Sequence, residues 1–337
     1  MTPRENPALL GHGAAEAALA SAARAGRLHH AWLITGPPGV GKATLAFRFA
    51  RWLLAGGAGG ALLAGGAGGG LLAGQPAGQG LHLPEDHPAF RRVAVGAHAD
   101  LLSLAPNTGE KGKKQMIRVD EVRGLRGFMS LTPAEGGFRV VVLEEPETMD
   151  RFGQNAILKT LEEPPPKAVL LLTSSAPGQL LPTIRSRVRR LELNPLGDAE
   201  MTELLPDMAE ADRAVLLRIA GGSPGRAMQL AEGEGLAMAR LAEEALGGVM
   251  GSRAMALAEQ IAGRDVGPMT IFFALLRAGQ AAGVRAAAAG SPPAWLGTRP
   301  LGEWSEIWGR LGAHARTAEV LNLERKQAVL VALGWLR

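Results

Sequence analysis

The 337-residue sequence contains no cysteine. Disulfides, thiolate zinc sites, iron–sulfur clusters and cysteine nucleophiles are excluded together, and a thiol-free chain suits a reducing compartment. Tyrosine is also absent, and aromatic residues make up only 4% of the chain, which leaves little material for stacking on nucleic-acid bases. Neither sign of charge dominates. The 36 Lys+Arg against 32 Asp+Glu leave a formal net charge of +4, which permits contact with nucleic acid without demanding it. The opening residues, MTPRENPALLGHG, carry no long apolar core and no cleavage signature, so no secretory signal is expected and a cytoplasmic location is.

Charge is missing altogether from Trp52 to Leu81. That stretch is long enough to cross a bilayer, but it is a nine-residue repeat: LLAGGAGGA from Leu53, LLAGGAGGG from Leu62 and LLAGQPAGQ from Leu71. Each glycine costs a helix about 1 kcal/mol relative to alanine. Residues 53–80 therefore read as a low-complexity insertion without membrane contact and without chemistry.

Hydrophobic residues make up 47% of the sequence, and at about 150 residues per domain the chain should hold two or three domains. The apolar runs Ala31–Thr35, Asp100–Leu104, Arg139–Leu143, Ala168–Thr173 and Arg189–Leu193 read as strands. Between them, helical spacing covers Ala14–Ala23, Lys42–Leu54, Ile117–Met129 and Asp150–Leu161, the last stopped by Pro164–Pro166. Continuous apolar strands alternating with helices predict an α/β domain over residues 1–195, with a parallel sheet covered on both faces. Beyond it no strand pattern survives. Residues 196–245 read as a small helical unit and 246–337 as a second all-α region, in which Trp304 and Trp308, one turn apart, are expected to pack.

The strongest local signal is Gly36-Pro-Pro-Gly39-Val-Gly41-Lys42, placed after a strand and opening a helix. Such a loop can wrap backbone N–H groups around phosphates at the positive end of a helix dipole, with Lys42 reaching them as a point charge. The alternative is a glycine-rich turn that binds nothing. The position after the lysine should carry a hydroxyl for Mg²⁺, and it is Ala43. Thr44 is a poor substitute, because one residue turns a helical side chain by about 100°. The second metal partner should be an acidic residue ending a buried strand; here Val140–Leu143 runs into Glu144 and Glu145, with a longer side chain than aspartate. Mg²⁺ tolerates little departure from octahedral geometry, so ATP or ADP would bind with weak or absent Mg²⁺. Glu145 stands where a general base for water could stand.

GPPGVGKAT, the block VVVLEEPETMDRFGQNAILKTLEEPPPKAVLLLTSSAPGQLLPTIRSRV and GGSPGRA together resemble the bacterial clamp-loader branch of the AAA+ ATPases. The matching blocks span about 10–50 and 117–230; in the last third the likeness rests on Asn322–Ala328 (NLERKQA) and helical character. The resemblance implies a RecA-like AAA+ domain, then a helical lid, then a helical collar that assembles the ring. It implies that Arg187, in Ser186-Arg187-Val188, is an arginine finger reaching ATP held by a neighbouring subunit. By itself, the run Arg185, Arg187, Arg189 and Arg190 also reads as a solvated basic surface. Phosphate-sensing positions would fall at Thr173 or Ser174 and at Arg226, which equally reads as a plain helix-surface arginine.

The family's four-cysteine zinc module has no counterpart here, and His82, His87 and His98 are too scattered to replace it, so no zinc and no other metal are expected. DNA-contact candidates are Lys111, Lys113 and Lys114 in a polar loop, then Arg118, Arg123 and Arg126; the same residues read as an ordinary solvated surface. The implied role is a clamp-loader subunit of DNA polymerase III that does not hydrolyse ATP itself. Its partners would be gamma/tau-type and delta-type subunits, the sliding clamp and primed DNA. The alternatives are an autonomous AAA+ ATPase and a catalytic gamma/tau-type subunit; the latter needs the magnesium hydroxyl and zinc cysteines that this chain lacks.

Overall fold

The computed structural model describes residues 2–57, 80–106, 116–205, 208–231, 235–263 and 267–336. The chain forms two compact units, Met1–Asn194 and Pro195–Arg337. In the first, β1 (Ala31–Thr35), β2 (Leu101–Leu104), β3 (Arg139–Glu144), β4 (Ala168–Ser174) and β5 (Arg189–Glu192) build one five-stranded parallel sheet in the order β2-β3-β4-β1-β5. The helices are α1 (Gly13–Arg24), α2 (Lys42–Leu54), α3 (Pro88–Ala94), α4 (Val119–Ser130), α5 (Arg151–Glu162) and the single turn α6 (Pro182–Arg185). β1 lies inside the sheet, between β4 and β5, and the loop Gly36–Gly41 leaves its end.

Successive side chains on a strand point to opposite faces, and the sheet uses both. Trp32, Ile34, Val140, Val142, Val169 and Leu171 pack with α1, α2 and Val93 of α3. Ala31, Leu33, Val141, Leu143, Leu170 and Leu172 pack with α4, α5 and Ile184 of α6. Every residue of β1, β4 and β3 up to Leu143 is buried, which is why these runs are apolar apart from Arg139 at the start of β3 and the hydroxyl residues that end β1 and β4. Burying such a side chain contributes about 1.5–3 kcal/mol.

α2 is buried nearly all round, Arg48 and Arg51 included. The N-terminal segment satisfies them: Arg51 donates to the carbonyls of Arg4 and Asn6, each at 2.7 Å, and Arg48 pairs with Glu16 at 2.6 Å and donates to the Pro7 carbonyl. Burial lowers the Arg51 guanidinium to about 10. Leu53 and Leu54, the first residues of the repeat, close α2 instead of opening the insertion, because both are buried against the sheet core. The rest of the repeat, 58–79, lies outside the described residues.

The second unit is all helical: α7 (Asp198–Glu203), α8 (Glu210–Ala220), α9 (Pro224–Ala231), α10 (Gly235–Leu246), α11 (Gly251–Ala262), α12 (Gly267–Ala288), α13 (Leu301–Val320) and α14 (Arg325–Trp335). The NLERKQ stretch joins the last two. Asn322 takes the left-handed conformation, and Glu324 caps α14 by accepting the amides of Lys326 and Gln327. Arg325 donates to the Ala262 and Gly263 carbonyls at the end of α11, and Lys326 pairs with Glu259. Trp304 is buried as expected, but Trp308 stays 42% exposed. Its indole donates to the Arg277 carbonyl and its ring lies under that guanidinium.

At the start of β2, Asp100 is 1% exposed and accepts the amides of Ala134 and Glu135 at 2.8 and 3.1 Å. Arg139 is its counter-ion at 3.4 Å, with both side chains almost fully buried. Removing one partner of such a pair leaves an uncompensated charge, so Asp100→Ala should destabilise the first unit by about 3–5 kcal/mol. Denaturant unfolding followed by circular dichroism would measure it.

Candidate functional site

The phosphate loop is shaped by contacts that a side chain would break. A Cβ on Gly36 would lie 2.6 Å from the Leu193 carbonyl oxygen, and Gly36 has φ +155°. Gly41, at φ +110°, would push a Cβ against Leu9 at 3.0 Å. From the other side, His12 shares a 2.8 Å hydrogen bond between Nε2 and the Val40 carbonyl. The N-terminal segment that wraps α2 thus also pins the loop.

Lys42 opens α2 and is buried. Its Nζ donates to the Gly36 carbonyl at 3.0 Å, the Pro37 carbonyl at 2.7 Å and Ser175 Oγ at 2.8 Å. Burial lowers its pKa, against the opposing pull of Glu145 and Glu147. An ammonium has three donors, and the protein engages all of them. Ala43 presents a methyl group where a magnesium ligand is needed. Thr44, two residues past Lys42, points about 200° away from it around the helix.

Glu144 ends β3, partly buried, with its carboxyl raised above the ordinary 4.5 chiefly by burial, then by Glu145. Position 43 thus offers no hydroxyl, the three donors of Lys42 are engaged by the chain itself, and burial raises the Glu144 carboxyl beside them. Glu145 sits in the left-handed region at φ 49°. Its carbonyl accepts the Thr148 amide and hydroxyl, and its residue is exposed.

Thr173, Ser175 and Glu147 divide the role given to the end of the fourth strand. Thr173 is buried inside β4, opposite Ile34 and Glu144. It is Ser175, one residue past the strand, that reaches Lys42. Glu147 holds that turn, its Oε1 accepting the amides of Ser175 at 2.9 Å and Ala176 at 3.0 Å. Neither Ser175 nor Glu147 stands out in the sequence: three glutamates occur within four residues, and nothing local says which one folds back.

Arg187 follows α6. The buried Gln154 of α5 ties the two elements by accepting the Leu181 amide at 2.9 Å. The Arg187 guanidinium donates to the Thr183 carbonyl at 3.0 Å and pairs with Glu162 at 2.9 Å, with side-chain exposures of 36% and 48%. The neighbouring arginines differ: Arg189 lies over the Trp32 ring, and Arg190 bonds Thr35 and Glu192.

Of the DNA-contact candidates, Lys111, Lys113 and Lys114 lie outside the described residues. Arg118, Arg123 and Arg126 are exposed along the start and outer face of α4. Arg123 pairs with Asp120 at 3.1 Å and Arg126 with Glu163 at 3.7 Å. Arg226 belongs to α9 of the second unit, where it donates to the Ala274 carbonyl at 3.2 Å. Burial, then Arg285, lowers its pKa. Two of the scattered histidines serve the backbone: His87 caps α3 by accepting the Ala89 amide, and His98 accepts the Asp100 amide.

The raised pKa of Glu144 sets a sign for stability. The native state binds more protons than the unfolded chain in the window above 4.5, so stability falls as pH rises through it. Glu144→Gln should therefore stabilise the first unit at about pH 7, with the gain disappearing below the ordinary carboxylate value. Denaturant midpoints at neutral and acid pH would measure this.

Residues 80–197 match the family model described as DNA polymerase III, delta subunit. The chain is 39% identical over 211 residues to DNA polymerase III subunit delta′ of Pseudomonas aeruginosa, covering 61% of this chain and 57% of that protein. It is 33% identical over 220 residues to DNA polymerase III subunit delta′ of Escherichia coli, covering 64% and 58%. A gamma/tau subunit of Mycobacterium bovis is 30% identical over 224 residues, covering 62% of this chain and 33% of that protein. The matched stretch thus spans less than two-thirds of each of these relatives. Over the matched stretch the chain is similar to delta′ subunits of DNA polymerase III.

Proposed function

We propose that this chain is a delta′-type clamp-loader subunit of DNA polymerase III that does not hydrolyse ATP itself and supplies Arg187 to ATP held by a neighbouring subunit. The observation that carries this reading is a pairing of opposites. The phosphate-loop lysine is engaged by its own chain beside a missing magnesium ligand, while Arg187 stands at the surface inside the segment that matches the family.

A planar guanidinium can meet two phosphoryl oxygens at once, and placed at the charge developing on the transferred phosphoryl it is worth about 10³–10⁵ in rate. The Gln154–Leu181 bond anchors the turn that carries Arg187 to a helix of the sheet domain, so the finger has a rigid base. Any nucleotide in this chain's own loop would be held by the amides around Gly36, Gly39, Gly41 and Lys42, without magnesium. Thr173, or Ser175 beside it, and Arg226 would then serve as phosphate contacts only.

Assembly would run through the second unit, with gamma/tau-type and delta-type subunits and the sliding clamp as partners, in the cytoplasm. Primed DNA would be met without sequence preference, by Lys113, Lys114, Arg118, Arg123 and Arg126 on its phosphates, and binding would weaken steeply with salt.

In a complex assembled with ATP-binding partners, Arg187→Ala should cut turnover at the facing site by about 10³ or more; unchanged clamp-stimulated hydrolysis overturns the finger role. Purified alone, the chain should show no ATP turnover in a phosphate-release assay. Turnover that Lys42→Ala abolishes would make it an autonomous ATPase instead.

A further inference from the structure

The terminal nitrogens of Arg187 are both occupied by acceptors of its own unit. Nη2 pairs with Glu162 Oε1 at 2.9 Å, while Nη1 donates to the Thr183 carbonyl at 3.0 Å and meets Ser186 Oγ at 3.4 Å. Those two nitrogens form the fork that grips a phosphate or carboxylate through paired bonds. We propose that Glu162 is a positioning residue that parks Arg187: it holds the guanidinium fork on the end of α5, and the phosphate of a neighbouring subunit's nucleotide must displace it. The proposal rests on the finger reading of Arg187.

Glu162 is an unusual choice for its place. It is the last residue of α5, where the helix dipole repels a carboxylate, and Glu163 follows it directly. Two adjacent carboxylates at a helix C-terminus need cations, and each has one: Arg187 on Glu162 and Arg126 on Glu163. Three prolines then stop the chain from carrying this corner away. The corner is also fixed from inside, because Gln154 of the same helix accepts the amide of Leu181, just ahead of α6. Carboxylate and arginine are therefore presented by two elements locked to each other.

Both side chains are well exposed, 36% for Arg187 and 48% for Glu162, so a phosphate can reach the pair. A triphosphate carries more charge than a carboxylate and accepts through more oxygens. Ion pairs of this exposure shift an equilibrium by only about one-and-a-half- to fivefold. The contact is thus strong enough to keep a long side chain from wandering and weak enough to be exchanged.

The test compares Glu162→Gln, Arg187→Ala and the double variant in the complex assembled with ATP-binding partners. Glu162→Gln should raise kcat/KM for ATP at the facing site by about one-and-a-half- to fivefold. The gain should vanish in the Arg187→Ala background, since it acts only through that guanidinium. A merely structural role would lower activity and stability in both backgrounds. If Arg187→Ala cripples turnover but Glu162→Gln leaves it unchanged or lowers it, parking is overturned and the finger stands. If Arg187→Ala has no effect, both are overturned. In the isolated full-length chain, the guanidinium NMR signals of Arg187 should report slower rotation about the Cζ–Nη bonds in the native protein than in Glu162→Gln. Identical signals overturn the parking contact without reference to any partner.

Discussion

The parallel pairing of β1 with β4 sets Thr35 opposite Ser174, and the rest of the site hangs on that register. The next residue on each strand then enters the same corner: Gly36 begins the phosphate loop and Ser175 begins the turn after β4. Lys42, at the first position of α2, joins the two, through carbonyls on the loop side and a hydroxyl on the other. A buried ammonium without acceptors would be strongly disfavoured, so the closeness of these ends is a condition for burying Lys42. Glu147 completes the corner by holding the amides of Ser175 and Ala176 in place.

Three arginines are placed inside the fold. Arg48, Arg51 and Arg139 are buried, and each is satisfied by backbone carbonyls together with a carboxylate or an aromatic ring. In the segment Arg187–Arg190, which looks uniform as a string of letters, one guanidinium rests on a carboxylate, one on an indole and one on a hydroxyl. The excess of four positive charges therefore says little about a basic face. The carboxylate that Arg187 meets, Glu162, is itself at the surface.

Much of the first unit can be read directly from the letters. Ala31–Thr35 and Lys42–Leu54 match β1 and α2, because an apolar run between glycine signals and a long amphipathic stretch have few other ways to bury themselves. The remaining strands agree to within a residue for the same reason. α3 and α6 were not legible: Pro88–Ala94 spans two turns and Pro182–Arg185 one, too short for a period to declare itself. Leu53 and Leu54 belong to the repeat as letters and to α2 as packing.

At the site, local chemistry alone singles out Gly36, Gly41 and Lys42 as a glycine loop opening a helix, and Ala43 as the position without a hydroxyl, since both follow from neighbours in the chain. That much needs no third dimension. Which serine meets Lys42, which of three glutamates folds back, that His12 braces the loop and that Glu162 holds Arg187 were decided by tertiary structure. Each of these contacts joins residues between 25 and 133 positions apart. Periodicity describes how a segment buries itself, whereas a hydrogen bond between distant segments depends on where the sheet register and helix packing bring their ends.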